Sequence, residues 1–290
     1  MAYQENPSMN RKTLYFNDLG VKNLVLLGSY HYTDSGKVLN PHIHKETLEI
    51  CYLDKGFQTY TVDEQEFHLK GGDVFITFPN EKHGTGQSVE EKGTLYWLQI
   101  QMTLENECFL SYQNQEAKTF LDSILQISKR HFSIHAEFKS LLDQLFVAGI
   151  ETPSPLQRIK IYSLSTQILL SILNDSTAEH QNNKSPEIAK AVSFIIKNLN
   201  QVFSLEDLAN HVHLSESHFK TKFKAEMGTS PADFVQRKKI EKSEVLLAEG
   251  KLNITEIAYS LGYPSSQHFS SVFKKYNGKT PSEFKKITKP

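Results

Sequence analysis

The chain writes one pattern twice. The first copy reads LEDLA at 205–209, followed by Phe219, Phe223, Gly228, Pro231 and Phe234. The second reads ITEIA at 254–258, followed by Phe269, Phe273, Gly278, Pro281 and Phe284. From the first Phe onward the spacings are the same, and between Ala and that Phe the second copy holds one more residue. A repeat of this period confines the C-terminal part to two copies of one small supersecondary unit. Two helices joined by a short turn fit that length, and such a pair is a DNA-reading device.

Local chemistry supports the two-helix reading. Ser204 precedes Leu205 and Asp207 follows three residues on, close to a capping box. Leu205, Leu208, Ala209 and Val212 form one apolar face, with Ala209 small enough for two helices to cross. Leu214 lies in the turn and Ser215 can cap a second helix that buries Phe219, Phe223 and Met227. Gly228 can end that helix in a left-handed cap. If the two Phe face inward, Ser217, Lys220 and Thr221 face outward, flanked by Glu216 and His218. In the second copy Gln267, Ser270 and Ser271 face outward, with Ser266 and His268 nearby. Gln can read adenine bidentately, Lys220 can reach guanine or merely a phosphate, and Ser or Thr can contact either kind of edge, so these six are the candidate base readers. Lys222, Lys224, Arg237, Lys238, Lys239, Lys274 and Lys275 are candidate phosphate contacts, which position without reading. Between the copies, residues 231–248 read as one helix of roughly 27 Å. That is of the order of the roughly 34 Å between successive major-groove faces.

At 290 residues the chain has room for two domains. The net charge of −1 hides a division. Residues 184–290 carry 17 Lys/Arg against 11 Asp/Glu, so the rest is acidic and only the C-terminal end suits a polyanion. Cys51 and Cys108 fit neither a disulfide framework nor a zinc spacing. The N-terminus has no apolar signal region, and the apolar stretch 161–173 is interrupted by Ser, Thr and Gln and too short for a bilayer. A cytoplasmic protein is the expectation.

Residues 1–105 read as short strands at 24–27, 48–53, 59–62, 73–78 and 94–101, with turn signals at 54–56, 70–72 and 79–80. Residues 106–175 turn to helical periodicity, with Pro155 a favoured first-turn residue of the last helix. Residues 176–185 are polar and read as a linker, and Pro186 opens the all-helical domain at 186–290.

The C-terminal block resembles the AraC/XylS family of bacterial transcription regulators. The second copy carries the likeness most fully, in ITEIAYSLGY at 254–263, HFSSVFKK at 268–275 and GKTPSEF at 278–284. The likeness covers about 100 residues. Departures are Tyr263 where Phe is commoner, Lys285 where Arg is commoner, and Asn277 in place of an aromatic. In the N-terminal part, Gly36, His42, His44, Glu49 and Gly56 resemble the first cupin motif. Gly72, Asp73, Pro79 and His83 resemble the second, shortened by one residue between Pro and His. The two likenesses together imply an α+β protein of two domains. An N-terminal cupin-like β-barrel with a helical dimerisation segment would precede an all-α domain with two helix-turn-helix motifs. They imply double-stranded DNA, a small-molecule effector (a sugar among the candidates), a second copy of the chain and RNA polymerase as partners.

His42, His44, His83 and Glu49 are the candidate ligand site, and imidazole with carboxylate also suits a divalent metal such as zinc, iron, manganese or nickel. The alternative is direct binding of a polar ligand. Tyr96 and Trp97 could stack on a sugar or pack the core. Leu156, Ile159, Leu169, Ile172 and Leu173 could face a partner or pack on the barrel. No catalytic residue is assigned. The rival readings are a metal-dependent cupin enzyme fused to a DNA-binding tail, and a constitutive DNA binder with a vestigial barrel.

Overall fold

The computed structural model describes residues 2–6, 10–86, 88–178 and 185–288. They form two compact units, divided after residue 181, with the short segments 33–37 and 88–92 grouping with the second.

In the first unit the main sheet has the order β1(Tyr3–Asn6), β2(Arg11–Tyr15), β3(Leu24–Tyr32), β9(Gly93–Gln101), β5(Thr47–Val62), β7(Asp73–Thr77), β12(His131–Ser133). All its pairs are antiparallel. The long strand β5 joins this sheet to a smaller one. Its first half pairs with β9 and β7, and its second half with β6(Gln65–Lys70) and β8(Lys82–Gly84). The short β4(His42–Ile43) completes the set by pairing with β8, and β10(Cys108–Phe109) and β11(Tyr112–Gln113) form a separate antiparallel pair. The sequence 54–56, expected to be a turn between two strands, is instead a bulge in one bent strand. The register slips between Leu53 and Lys55, and Gly56 takes φ 101°. A bulge of this kind re-aims a strand and lets it pass from one sheet to another.

The bend creates two cores. Leu48, Ile50, Tyr52, Tyr96, Leu98 and Ile100 face outward and are covered by α1(Asn114–Leu125), α2(Phe138–Ile150) and α3(Pro155–Thr177). The alternate residues Cys51, Leu53, Leu95 and Trp97 face inward and meet Tyr60, Val62, Leu69 and Phe75. A strand buried on both faces reads as a nearly continuous apolar run, as LEICYL at 48–53 does apart from Glu49. Gly149 of α2 lies so close to Leu14 that a Cβ there would sit 2.0 Å from the leucine Cδ2. Helix α3 starts where Ser154 accepts from the Gln157 N–H and Pro155 takes the first turn, and it continues to Thr177, two residues into the expected linker. Residues 179–184 of that linker lie outside the described residues. The helical segment also returns a strand, β12, to the main sheet, so the barrel does not end at 105.

The second unit comprises α4(Pro186–Lys197), α5(Leu205–His211), α6(Glu216–Met227), α7(Pro231–Glu249), α8(Ile254–Ser260), α9(Ser266–Asn277) and α10(Pro281–Thr288). The repeat is visible atom by atom. Ser204 with Asp207, and Asn253 with Glu256, make full capping boxes at α5 and α8. Ser215 and Ser265 cap α6 and α9, which end at left-handed Gly228 and Gly278. The buried rings repeat as well. Phe219 and Phe223 lie 5.4 Å apart, and Phe223 meets Phe234 edge-on at 5.5 Å. Their counterparts Phe269, Phe273 and Phe284 make the same contacts at 5.7 and 5.5 Å. The extra residue of the second copy falls in the turn, where Pro264 follows Tyr263. Both turns pass through a left-handed residue, His213 at φ 59° in the first and Gly262 at φ 71° in the second.

Candidate DNA-reading surface and ligand site

Helices α6 and α9 are the second members of their pairs. Burying Phe219, Phe223 and Met227 turns Ser217, Lys220 and Thr221 outward, and all three are exposed. On α9 the same logic exposes Gln267 and Ser271 and leaves Ser270 half-buried. The Ser270 and Ser271 hydroxyls donate to the carbonyls of Ser266 and Gln267 at 2.7 and 3.1 Å. His218 and His268, flanking in sequence, are exposed on the same turns.

The phosphate candidates separate into two classes. Lys224, Lys274 and Lys275 are exposed. Lys222 is half-buried and pairs with Glu187 at 3.1 Å, and Lys238 pairs with Glu241 at 2.6 Å. Two assignments are corrected. Arg237 is only 17% exposed and binds Glu241 at 3.1 Å through Nε, so its guanidinium serves the fold. Lys239 is 3% exposed and donates to the Gln201 carbonyl at 2.9 Å, with its ammonium 5.4 Å over the Tyr263 ring. Helical periodicity placed both on α7, where Arg237 is paired along its own helix and Lys239 is covered by neighbours from distant sequence.

In the first unit β4, β5 and β8 bring His42, His44, Glu49 and His83 together. His42 and His83 are directly opposed in the β4–β8 ladder, with ring centroids 4.3 Å apart. One ring nitrogen from each of His42, His44 and His83 lies within 4.8 Å of the others. Glu49 is 6% exposed and stands 3.4 Å from His44 and 3.4 Å from His83. Burial alone raises a carboxyl pKa, but facing His44, His83 and Gln99 reverses this and holds Glu49 well below the usual range.

The tautomers follow from the partners. A carbonyl only accepts, so His42 and His83 must carry their protons on Nδ1, facing the carbonyls of Asn40 at 2.9 Å and Glu81 at 3.1 Å. Gln99 donates from Nε2 to Glu49 at 2.7 Å and faces His44 Nε2 at 3.1 Å, which makes that nitrogen an acceptor too. In their neutral forms the three rings therefore present Nε2 lone pairs, although for His83 burial is outweighed by the facing Glu49, which raises the pKa toward the charged ring. Among the described residues the His83 Nε2 is buried without a hydrogen bond, its 3.4 Å approach to Glu49 falling short of one in geometry. Three convergent imidazole lone pairs beside a carboxylate, with Nδ1–H groups tied to carbonyls, are a donor set that fits a divalent cation.

Gln99 is the member that sequence reasoning missed. It lies opposite Glu49 on β9, two residues after inward-facing Trp97, and a polar residue in that alternation was the available signal. Trp97 and Tyr96 point to opposite faces. Trp97 is in the inner core under Arg11 at 4.5 Å, whereas Tyr96 meets the helices and donates to Asp143 at 2.8 Å.

The turn that carries His83 is clamped from the helical segment. Arg130 binds Glu81 with two parallel bonds of 2.7 and 2.8 Å and lies over Phe67 and Phe78 at 5.7 and 5.4 Å. Glu81 in turn accepts from the Phe78 N–H at 2.8 Å and supplies the carbonyl that orients His83. Asn80 donates its N–H to the His44 carbonyl at 3.0 Å.

Comparison with known proteins places both units. Residues 26–169 match the AraC-like ligand binding domain and residues 208–287 a helix-turn-helix domain. The HTH-type transcriptional regulator YfiF of Bacillus subtilis is 26% identical over 265 residues, covering 86% of this chain and 80% of that protein. The raffinose operon transcriptional regulatory protein RafR of Pediococcus pentosaceus is 24% identical over 83% of this chain and 86% of its own. The xylose operon regulatory protein of Escherichia coli is 25% identical over 185 residues, 63% of this chain and 45% of that protein. The chain belongs to the AraC/XylS family of DNA-binding transcription regulators, with a ligand-binding domain ahead of its paired helix-turn-helix motifs.

Proposed function

We propose that the regulator answers to a sugar-class effector that binds in the first unit beside His42, His44, Glu49 and His83, and that it acts without chemical turnover. The carrying observation is the polar cluster, with Glu49 and His83 buried and His42 and His44 half-buried, beside an aromatic inner core, where hydroxyls could pair with imidazole and carboxylate and a sugar face could meet an indole. The relatives named for raffinose and xylose operons support the class. Trp97 is the only tryptophan and lies in this unit. Its fluorescence therefore follows melting of the sensor while mono- and oligosaccharides are screened. One of them should raise the melting temperature and change operator affinity in gel shift. A panel that does neither removes the sugar reading.

A divalent metal at the same cluster is a second reading, favoured by the three converging Nε2 lone pairs. His42, His44 and His83 would hold it, with Glu49 completing the set, and it would supply positive charge to anchor an oxygen ligand. Dialysis against zinc or nickel followed by elemental analysis should give one metal per chain, lost in His83→Ala. Less than about a tenth of a metal per chain would exclude it.

The base readers are proposed as Ser217, Lys220 and Thr221 on α6 and Gln267, Ser270 and Ser271 on α9, with Lys224, Lys274 and Lys275 on phosphates. Homodimerisation is assigned to the helical face that leaves Val147, Ile150, Leu156 and Ile159 at least 58% exposed, whereas Leu169 and Ile172 are wholly buried and pack the core. Ile159→Asp should yield a monomer in sedimentation, and an unchanged dimer would move the interface elsewhere. Contact with RNA polymerase in the cytoplasm completes the reading. Among the described residues no helix is long and apolar enough to cross a membrane.

A further inference from the structure

Lys239 is a cation buried without a counter-charge: among the described residues no carboxylate lies within ion-pair distance of it, and burial lowers its pKa. Such a group is costly, and a methionine of similar shape would avoid the cost. What it touches spans the repeat. Its Nζ donates to the Gln201 carbonyl at 2.9 Å, in the segment that leads into α5 of the first pair. Its ammonium lies over Tyr263, in the turn of the second pair. One turn earlier on α7, Gln236 accepts the Tyr263 hydroxyl at 3.0 Å. The two partner segments also touch each other. A Cβ on Gly262 would stand 2.6 Å from the Asn200 carbonyl, and Leu199 packs into the aromatic core of the second pair.

We propose that Lys239, with the Gln236–Tyr263 bond beside it, is the positioning clamp that fixes how far apart, and at what rotation, α6 and α9 are presented to DNA. The clamp ties the approach to one helix pair, the connecting helix and the turn of the other into one rigid piece. Spacing between the two base-read boxes is then a property of the protein and is itself read as specificity.

The test is selection of full-length protein on a random duplex library, followed by sequencing. Wild type should return two boxes at one separation. Lys239→Met should return the same two boxes at several separations. Gel shifts on the selected site with one base pair added or removed give the size of the effect. Wild type should lose about 10- to 100-fold, the range of a serious site defect, and Lys239→Met less than about threefold. Lys239→Gln, which keeps a donor for the Gln201 carbonyl, should restore narrow spacing. A single unchanged separation in Lys239→Met overturns the proposal. So does equal weakening at every separation, which would mark general loss of structure. A salt slope lower by about one at unchanged separation also overturns it, because that is the signature of a phosphate contact. If Lys239→Met does not yield folded protein by circular dichroism, Tyr263→Phe reads the same clamp through its other tie. Broadened spacing there supports the proposal and wild-type spacing refutes it.

Discussion

Removing Arg130 should loosen the sensor from outside its ligand site. The side chains of Arg130 and Glu81 are 21% and 23% exposed, so the pair is neither a surface pair nor a sealed one. Exposed pairs contribute about 0–1 kcal/mol. Breaking a fully buried one costs about 3–5 kcal/mol. The two parallel charge-assisted bonds place this pair between those limits, at about 2 kcal/mol. Lost contact with the Phe67 and Phe78 rings adds about 0.5 kcal/mol. A domain of this size shifts by roughly 2–4 °C per kcal/mol, so Arg130→Ala should lower the first unit's melting temperature by roughly 5–10 °C. Trp97 fluorescence of the whole chain reports that unit alone. A double-mutant cycle with Glu81→Gln isolates the pair and should return a coupling above about 1 kcal/mol. There is also a local consequence. Glu81 provides the carbonyl that keeps the His83 proton on Nδ1. Nitrogen NMR of the metal-free protein should show one His83 tautomer in wild type and a mixture in Arg130→Ala, with Arg130→Lys intermediate. Unchanged melting together with additive double-mutant energies would refute the clamp.

Three further outcomes follow from the same geometry. Asp73 is buried and takes hydrogen bonds from His131 at 3.0 Å, Ser133 at 2.7 Å and the Lys70 N–H at 3.0 Å. Burial raises its pKa, but those bonds outweigh it and leave the folded value below the unfolded one. Its contribution is therefore present above the unfolded pKa of about 4 and is lost as pH falls through the lower folded value. Asp73→Asn should flatten the acid limb of a urea-stability profile, and a parallel profile would count against it. Lys220→Ala and Gln267→Ala should each cost about 1–3 kcal/mol on the selected site and relax different boxes, whereas Lys274→Ala should weaken all sequences alike and lower the salt slope by about one. Gly262→Ala should destabilise by more than about 1 kcal/mol, from a left-handed backbone and a clash with the Asn200 carbonyl, while His213→Gly should be neutral or stabilising. Equal effects at the two positions in denaturant melts would break the proposed equivalence of the turns.

The second unit was legible because its structure is local. Caps, left-handed glycines and paired Phe all act within a few residues, so Ser204, Gly228 and Phe219 announce their roles in sequence. Lys239 was misread for the complementary reason. Its helix face was correctly placed, but Gln201 and Tyr263 cover it from 38 residues before and from the next repeat, and no period carries that. The first unit loses legibility in the same way. The strands of the main sheet showed in part, yet β12 pairs with β7 across 58 residues and reads from sequence as helix-linked loop. The bend at Gly56 has the composition of a turn, and only the continued pairing of β5 on β9 shows that the strand runs through it. The four ligand-site residues converge as their motif implied, while Gln99 enters only through register opposite Glu49.

The differences between the copies now have a hydrogen-bonding sense. Ser270 and Ser271 spend their hydroxyl protons on carbonyls of their own helix, which leaves lone pairs toward solvent. In that state they are suited to accept from base edges, which means the exocyclic amino groups of adenine or cytosine in the major groove. Lys220 can only donate, and so suits the acceptor edge of guanine. The scaffold of Phe, Gly and Pro holds both helices alike, while Lys220 on α6 is a donor only and Ser270 and Ser271 on α9 are left with acceptor lone pairs. A clamp that fixes the separation of α6 and α9 then has a purpose. Two short boxes of unlike chemistry carry little information apart, and holding them at one spacing multiplies what each can read.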